Sequence, residues 1–354
     1  MSPERKRSRR SPDSGHGSPP TFDEDEVLLD SEESDWNCRF ILGSAPADVV
    51  HGDWTIRHPF RCLLKNRWFQ RLRRLSSVGV ARKEFPDLKD NLFCLALGRY
   101  HLAEAFMEKL LKTYSQELKP QQKACVCVAA LCLDLGAGPD EYVKWKRGSD
   151  YDVRKKSTEI LDLVLQDPDL CENLRRLFYD SEESGPADFK RYVDLIKGLI
   201  YPSLSQGRRT FLSDLLSQLH SFSFSFDTVE RLLRIGSFIN EPLELTVNAF
   251  NNLIDFGSNV RLSKGWDGSM HLTILDHGFN STLQNSAQKV EQIVLQSQDV
   301  IYLREKHIDT LKKASNKAVI AGFDTSLEQL HKNLDAFYYL DDSIYERIAE
   351  IDQL

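Results

Sequence analysis

No run of about 18 apolar residues occurs in the sequence, so a membrane-spanning helix is not expected. The charges at its start lead into no apolar stretch, so a secretory signal is not expected either. Cysteines with the paired spacing of a zinc site are also missing. The seven present (Cys38, Cys62, Cys94, Cys125, Cys127, Cys132 and Cys171) are odd in number and lie in largely apolar contexts, and are read as reduced thiols. Excess basic charge is absent too: 46 Lys and Arg against 53 Asp and Glu leave a formal charge of -7, which argues against a whole-protein grip on nucleic acid. There is no Gly-rich phosphate loop, G-x-S-x-G elbow or H-E-x-x-H string.

What is present describes a largely folded chain of 354 residues, 41% of them apolar and 28% charged. Residues 1–37 stand apart as a tail expected to be disordered, basic first and acidic after. The basic cluster Arg5, Lys6, Arg7, Arg9 and Arg10 suits a nuclear import signal, or is a solvated tail with no receptor. An acidic block from Asp23 to Asp35 carries too little apolar surface to offset the entropy of ordering its backbone.

Residues 38–354 read as one mainly α domain. Phe60, Leu63, Leu64, Trp68, Leu72 and Leu75 fall on one face of a helix expected over 59–78. Residues 91–113 repeat the pattern through Phe93, Leu97, Leu102, Phe106 and Leu110. Residues 121–135 are apolar all round, which predicts a central buried helix that ends at Asp134 before the Gly136-Ala137-Gly138-Pro139 stop. Further helices are expected at 155–166, 169–178, 188–200, 208–219, from Asp227, over 281–323 and over 325–353. Asn259–Leu262 and His271–Leu275 flank Trp266-Asp267-Gly268, the signature of a β-hairpin inserted into the helical bundle.

Several strings carry a resemblance. Asp48-Val49-Val50-His51-Gly52-Asp53 and His58-Pro59 precede Trp68-Phe69-Gln70-Arg71-Leu72-Arg73-Arg74-Leu75. Leu131-Cys132-Leu133-Asp134-Leu135-Gly136-Ala137-Gly138-Pro139 follows. In this order the chain resembles the HD-domain deoxynucleoside triphosphate triphosphohydrolases, in particular the animal members that join a SAM domain to an HD domain. The match is specific from about Asp48 to Pro139 and diffuse beyond. No counterpart of the SAM domain is expected in these residues. The resemblance implies an HD-type helical bundle and a divalent metal held by two histidines and two aspartates.

The residues at those positions break the pattern. The histidine closing the family's H-N-R-F-E-H string falls at Leu95, with Leu92 and Cys94 replacing its arginine and glutamate. The His-Asp pair reads Leu133-Asp134. Other family histidines fall at Ala137, Tyr142 and about Tyr151. Asp134 and Asp227 are the vestigial carboxylates. Leucine has no lone pair, so neither a metal nor a working catalytic residue is expected. Asp134, alone at the end of a buried helix, is read as half of a salt bridge or as a cap.

The resemblance also implies nucleotide contacts at Gln70, Arg73 and His307, the first two as a guanine-nucleotide regulatory site. The bland reading of the arginine string is that Arg71, Arg73 and Arg74 pair with acidic residues, and that His307, beside Arg304, Glu305 and Lys306, is an exposed helix residue. The expected function is that of a pseudoenzyme that associates with itself or with an active HD-family relative, in the nucleus and also in the cytoplasm. The first alternative is a residual dNTP (dGTP) triphosphohydrolase using Mg²⁺ or Mn²⁺ on Asp134 and Asp227. The second is a nucleic-acid-binding module.

Overall fold

The computed structural model describes residues 27–28, 41–42, 47–48, 50–53, 56, 58–88, 90–178, 186–205, 212, 216, 225–239, 243–253, 259–266, 270–275 and 277–353. The import-signal residues Arg5, Lys6, Arg7, Arg9 and Arg10 lie outside these, as does most of the 208–219 helix. β1 (Val27–Leu28), inside the tail expected to be disordered, pairs antiparallel with β2 (Ile41–Leu42), which lies beyond it. A second two-residue pair, β3 (Ala47–Asp48) with β4 (Gly52–Asp53), precedes the helices.

The rest is mainly helical, as the periodicity predicts. The helix expected over 59–78 is broken into α1 (His58–Lys65), α2 (Arg67–Arg71) and a 3₁₀ turn over Leu72–Arg74. Asn66 causes the break, because its side-chain oxygen accepts the Trp68 amide and caps α2. The apolar positions run in register across the break, so periodicity alone reads straight through it. A short α3 (Ala81–Glu84) leads to α4 (Leu92–Thr113), capped by Asn91 onto the Cys94 amide.

The central helix is α5 (Pro120–Cys132), with Pro120 in its first turn, where a missing N–H costs nothing. Residues Cys125 to Leu133 are all fully buried. Each large aliphatic or aromatic side chain buried this way contributes roughly 1.5–3 kcal/mol. α5 lies between α4 and α9 (Pro186–Ile200), while α4 also packs on α10 (Phe226–Phe238). Around them stand α6 (Asp140–Trp145), α7 (Val153–Val164), α8 (Pro168–Arg175) and α11 (Val247–Leu253). The Cys125 thiol is pushed up to about 12 by burial, in keeping with a packing role. Cys62, Cys125, Cys127, Cys132 and Cys171 are free thiols. Cys94 is disulfide-bonded, against the expectation for it.

The inserted hairpin is present as β5 (Val260–Lys264) and β6 (Met270–Ile274), in register from Val260 opposite Ile274 to Lys264 opposite Met270. The C-terminal region is more broken than its pattern predicts. α12 (His277–Val290) runs into a π-helical turn at Glu291–Leu295, followed by α13 (Gln298–Lys313), α14 (Leu334–Tyr338) and α15 (Ile344–Gln353). No helix among the described residues is long and apolar enough to cross a membrane.

Candidate functional site

Asp134 sits in the turn that leaves α5. The turn is fastened to α7 by Ser157, whose hydroxyl accepts the Gly136 amide at 2.9 Å and is 2.8 Å from the Leu133 carbonyl. The approach requires glycine: a Cβ on Gly136 would lie 2.5 Å from the Val153 carbonyl and the Ser157 amide. Asp227 arrives from α10, in the first turn behind the Ser225 cap, where the helix dipole favours a carboxylate.

Between the two carboxylates lies a residue the sequence reading passed over. Arg99 of α4, one helical turn beyond Leu95, is fully buried. Its Nη1 donates to Asp134 Oδ2 at 2.7 Å and also to Asp227 Oδ1, while Nε donates to the Ala130 carbonyl at 3.1 Å. The expected salt bridge of Asp134 is therefore present, with Asp227 as a second arm. Burial works against the charge on Arg99, and the two carboxylates outweigh it, so its pKa is raised. Burial likewise opposes ionisation of Asp227. Arg231, Arg99 and Arg154 overcome that and hold its carboxyl below the ordinary carboxylate range.

A cleft of about 180 Å³ opens onto this bridge. Asp134, Asp227, Arg154, Arg231, Ser76 and Ser77 are among the residues that line it. Arg231 donates from Nη1 to the Ser77 carbonyl at 2.7 Å and lies 3.8 Å from Asp227 through Nη2. Arg154 stands in the first turn of α7. Its pKa is lowered by burial, only partly offset by Asp227 and Asp134. The pocket thus joins α4, α5, α7 and α10 around paired carboxylates and a cluster of guanidinium groups.

Known proteins share part of this sequence. The Dictyostelium discoideum homologue of deoxynucleoside triphosphate triphosphohydrolase SAMHD1 is 27% identical over 220 residues, 60% of this chain. The chicken and human SAMHD1 proteins are 36% identical over 94 residues and 30% over 93. This chain resembles the deoxynucleoside triphosphate triphosphohydrolases. It spans 39% of the length of the Dictyostelium protein and 15% of the chicken and human ones. No protein-family model matches it.

The residues present do not fit the divalent metal that a triphosphohydrolase of this type implies. Leu95 and Leu133 are fully buried hydrocarbon with nothing to donate. The two carboxylates that could donate already share a guanidinium nitrogen. A metal ion there would meet a fixed positive charge at hydrogen-bonding distance from both oxygens. Among the described residues, no group of three or more His, Cys, Asp or Glu is placed to hold a metal. At the other histidine positions of the triphosphohydrolase pattern, the Tyr151 hydroxyl donates to the Gly136 carbonyl at 2.6 Å and the Tyr142 hydroxyl to the Leu327 carbonyl at 3.3 Å. Both rings are buried in the packing rather than lining the cleft.

The remaining candidates are distributed elsewhere. Gln70 and Arg73 are joined: Arg73 Nε donates to Gln70 Oε1 at 2.9 Å, Gln70 donates to the Leu64 carbonyl, and Arg73 lies over the Phe93 ring. Of the arginine string, Arg74 meets an acid, Asp341, at 3.0 Å. Arg71 instead donates to the carbonyls of Ala137 and Leu340 and stacks on Phe337, so the expected acid pairing is corrected for it.

His307 is corrected too. It is buried, because α13 packs against α3, α6 and α15. Its ring stacks on Tyr345 at 4.0 Å and Nε2 is 3.2 Å from Lys83 Nζ. Burial, then Lys83 and Lys306, lower its pKa to about 4. It does not line the cleft of Asp134 and Asp227. His101 stacks against His51 at 4.7 Å, and the His51 ring in turn meets Glu230 at 2.7 Å.

Proposed function

We propose that this chain is a catalytically degenerate relative of the deoxynucleoside triphosphate triphosphohydrolases, and that it acts by protein association, with itself or with an active relative. The observation that carries the reading is Arg99, whose guanidinium bridges Asp134 and Asp227 where the related enzymes' pattern calls for a metal. A guanidinium can neutralise two carboxylates and hold them in place. It cannot generate a low-pKa hydroxide or act as a Lewis acid on a phosphate, the two contributions a metal makes to this hydrolysis. Association is inferred from the assembly of the family into dimers and tetramers, and nuclear location from the Arg5–Arg10 cluster.

The test is direct. The purified chain is incubated with each dNTP, Mg²⁺ or Mn²⁺, and GTP, and triphosphate release is quantified. In parallel, sedimentation velocity follows the chain alone and mixed with an active relative. The expected outcome is no release above the protein-free control, together with a complex in one of the two sedimentation experiments. Release that disappears in Asp134→Ala would overturn the reading in favour of a rebuilt Asp134/Asp227 enzyme. Monomers in both experiments would remove the association half.

A further inference from the structure

The cleft over the Arg99 bridge has little negative charge to spare. Arg154 and Arg231 line it, while the lining carboxylates Asp134 and Asp227 are already neutralised from behind by Arg99. Asp140, also on its lining, is engaged by Lys144 at 2.5 Å. Among the described residues no hydrogen bond or ion pair engages Arg154, although it lines the same space. Arg231 spends Nη1 on the Ser77 carbonyl, and its buried Nε has no hydrogen-bond partner among the described residues. Unsatisfied guanidinium donors in a partly desolvated pocket are costly, and an oxyanion is the ligand that satisfies them.

We propose that this cleft binds one tetrahedral oxyanion of the phosphate type, without a metal, on the guanidinium groups of Arg154 and Arg231. The inference rests on the reading of a metal-free pocket and extends it from what the site has lost to what it takes up. Guanidinium is suited to the task, since its planar fork matches two oxygens of a phosphate at once. Val153, the first residue of the twelve-residue α7, also lines the cleft, so the positive end of that helix dipole bears on the same space. Size limits the ligand. About 180 Å³ is below the roughly 300–1,000 Å³ of pockets that enclose drug-sized molecules, so the space suits a single phosphoryl group and its water better than a whole nucleotide. Arg99 serves here as the permanent counter-charge that keeps Asp134 and Asp227 from repelling the anion.

The experiment measures thermal stability and isothermal titration of the full chain in EDTA with inorganic phosphate, and then with a nucleoside triphosphate. At tenfold excess over its Kd, phosphate is expected to raise Tm by about 3 °C. Arg154→Gln should abolish the shift. Arg154→Lys, which keeps the charge but loses the fork, should retain a weaker one. Because no hydrogen bond or ion pair engages Arg154 among the described residues, Arg154→Gln is expected to fold with unchanged far-UV circular dichroism. Should it not, the Arg231→Gln variant supplies the same comparison.

No response to phosphate in EDTA, or the same response in both glutamine variants, would overturn the proposal. A response only when Mn²⁺ or Mg²⁺ is added would overturn the metal-free reading beneath it, so the two failures are distinguishable. A nucleoside triphosphate that binds more than tenfold tighter than phosphate in EDTA would overturn the one-phosphate size.

Discussion

Two carboxylate clusters, one buried and one partly buried, lie either side of Ser76, and they have opposite electrostatic character. Under the cleft, Asp134 and Asp227 are tied to Arg99, and the carboxyl of Asp227 is held below its ordinary range. On the other side, Asp342 accepts the Ser76 amide at 2.7 Å, and Glu141 accepts the Val80 amide and the Tyr345 hydroxyl. Among the described residues, neither of those two carboxyls forms an ion pair. Burial, reinforced by Glu141 and Asp341, raises Asp342 to about 7, and burial with Asp140 raises Glu141. Burial alone therefore does not decide whether a carboxyl is charged. The presence of a guanidinium within hydrogen-bond reach does. Asp227 is held as an ion across the working pH range, while Asp342 titrates within it.

The largest effect should come from breaking the locked cluster. Arg99→Met leaves two buried carboxylates without their cation and is expected to cost about 3–5 kcal/mol, read from urea denaturation. Adding Asp134→Asn and Asp227→Asn to the same chain should recover a substantial part of that loss. A triple mutant that is no more stable than Arg99→Met would break the comparison, because the cost would then be packing rather than charge.

A smaller loss is expected at the neighbouring residue of α4. A Cβ on Gly98 would lie 1.7 Å from the buried carboxylate oxygen of Glu230, which is itself ion-paired to Arg234. Gly98→Ala should therefore destabilise by about 1–3 kcal/mol, the usual cost of overpacking, seen as a lower urea midpoint with unchanged slope.

The titrating cluster is sharpened by Asp342→Asn. With a folded pKa of about 7 against an unfolded value near 3.9, the unfolded chain releases the proton first as pH rises. The contribution of Asp342 to stability is then full below about pH 4 and is lost by pH 7. Asparagine should stabilise the protein at pH 8 by on the order of 1 kcal/mol, after discounting for solvent contact, and flatten the decline between pH 4 and 7. An unchanged pH–stability curve would sink the assignment.

His307 provides the smallest and opposite slope. Its folded pKa of about 4 lies below the unfolded value, so the unfolded chain takes up the proton first as pH falls. Its share of stability is full above about pH 6.5 and is lost towards pH 4. Lys83, Lys306 and Tyr345 face the ring, and His307→Gln should remove that slope from a pH series of denaturation midpoints.

Helical periodicity made most of the fold legible, because burial of one face repeats every 3.6 residues whatever the partner is. The α4 and α5 ranges were readable to within three residues for that reason. The break at Asn66 was not, since a side-chain cap leaves the apolar spacing intact. Of the candidate site, Asp134, Asp227 and the leucines at the ligand positions could be read from the strings. Arg99 could not be weighed, although a charged residue in the otherwise apolar stretch from Leu92 to Tyr100 was a signal. Its partners lie 35 and 128 positions away, and local periodicity carries no information at that range. His307 looked exposed because its sequence neighbours are charged, while the surface it meets is built by α3, α6 and α15.

The guanidinium between the two aspartates also limits how this pocket can change. Introducing imidazoles by Leu95→His and Leu133→His would place new donors around a position already held by a cation, and a metal would still be repelled. Removing Arg99 first would strand two buried anions and endanger the fold. Neither order of single steps reaches a metal site without passing through a worse protein, so this arrangement acts as a barrier between the present pocket and metal chemistry.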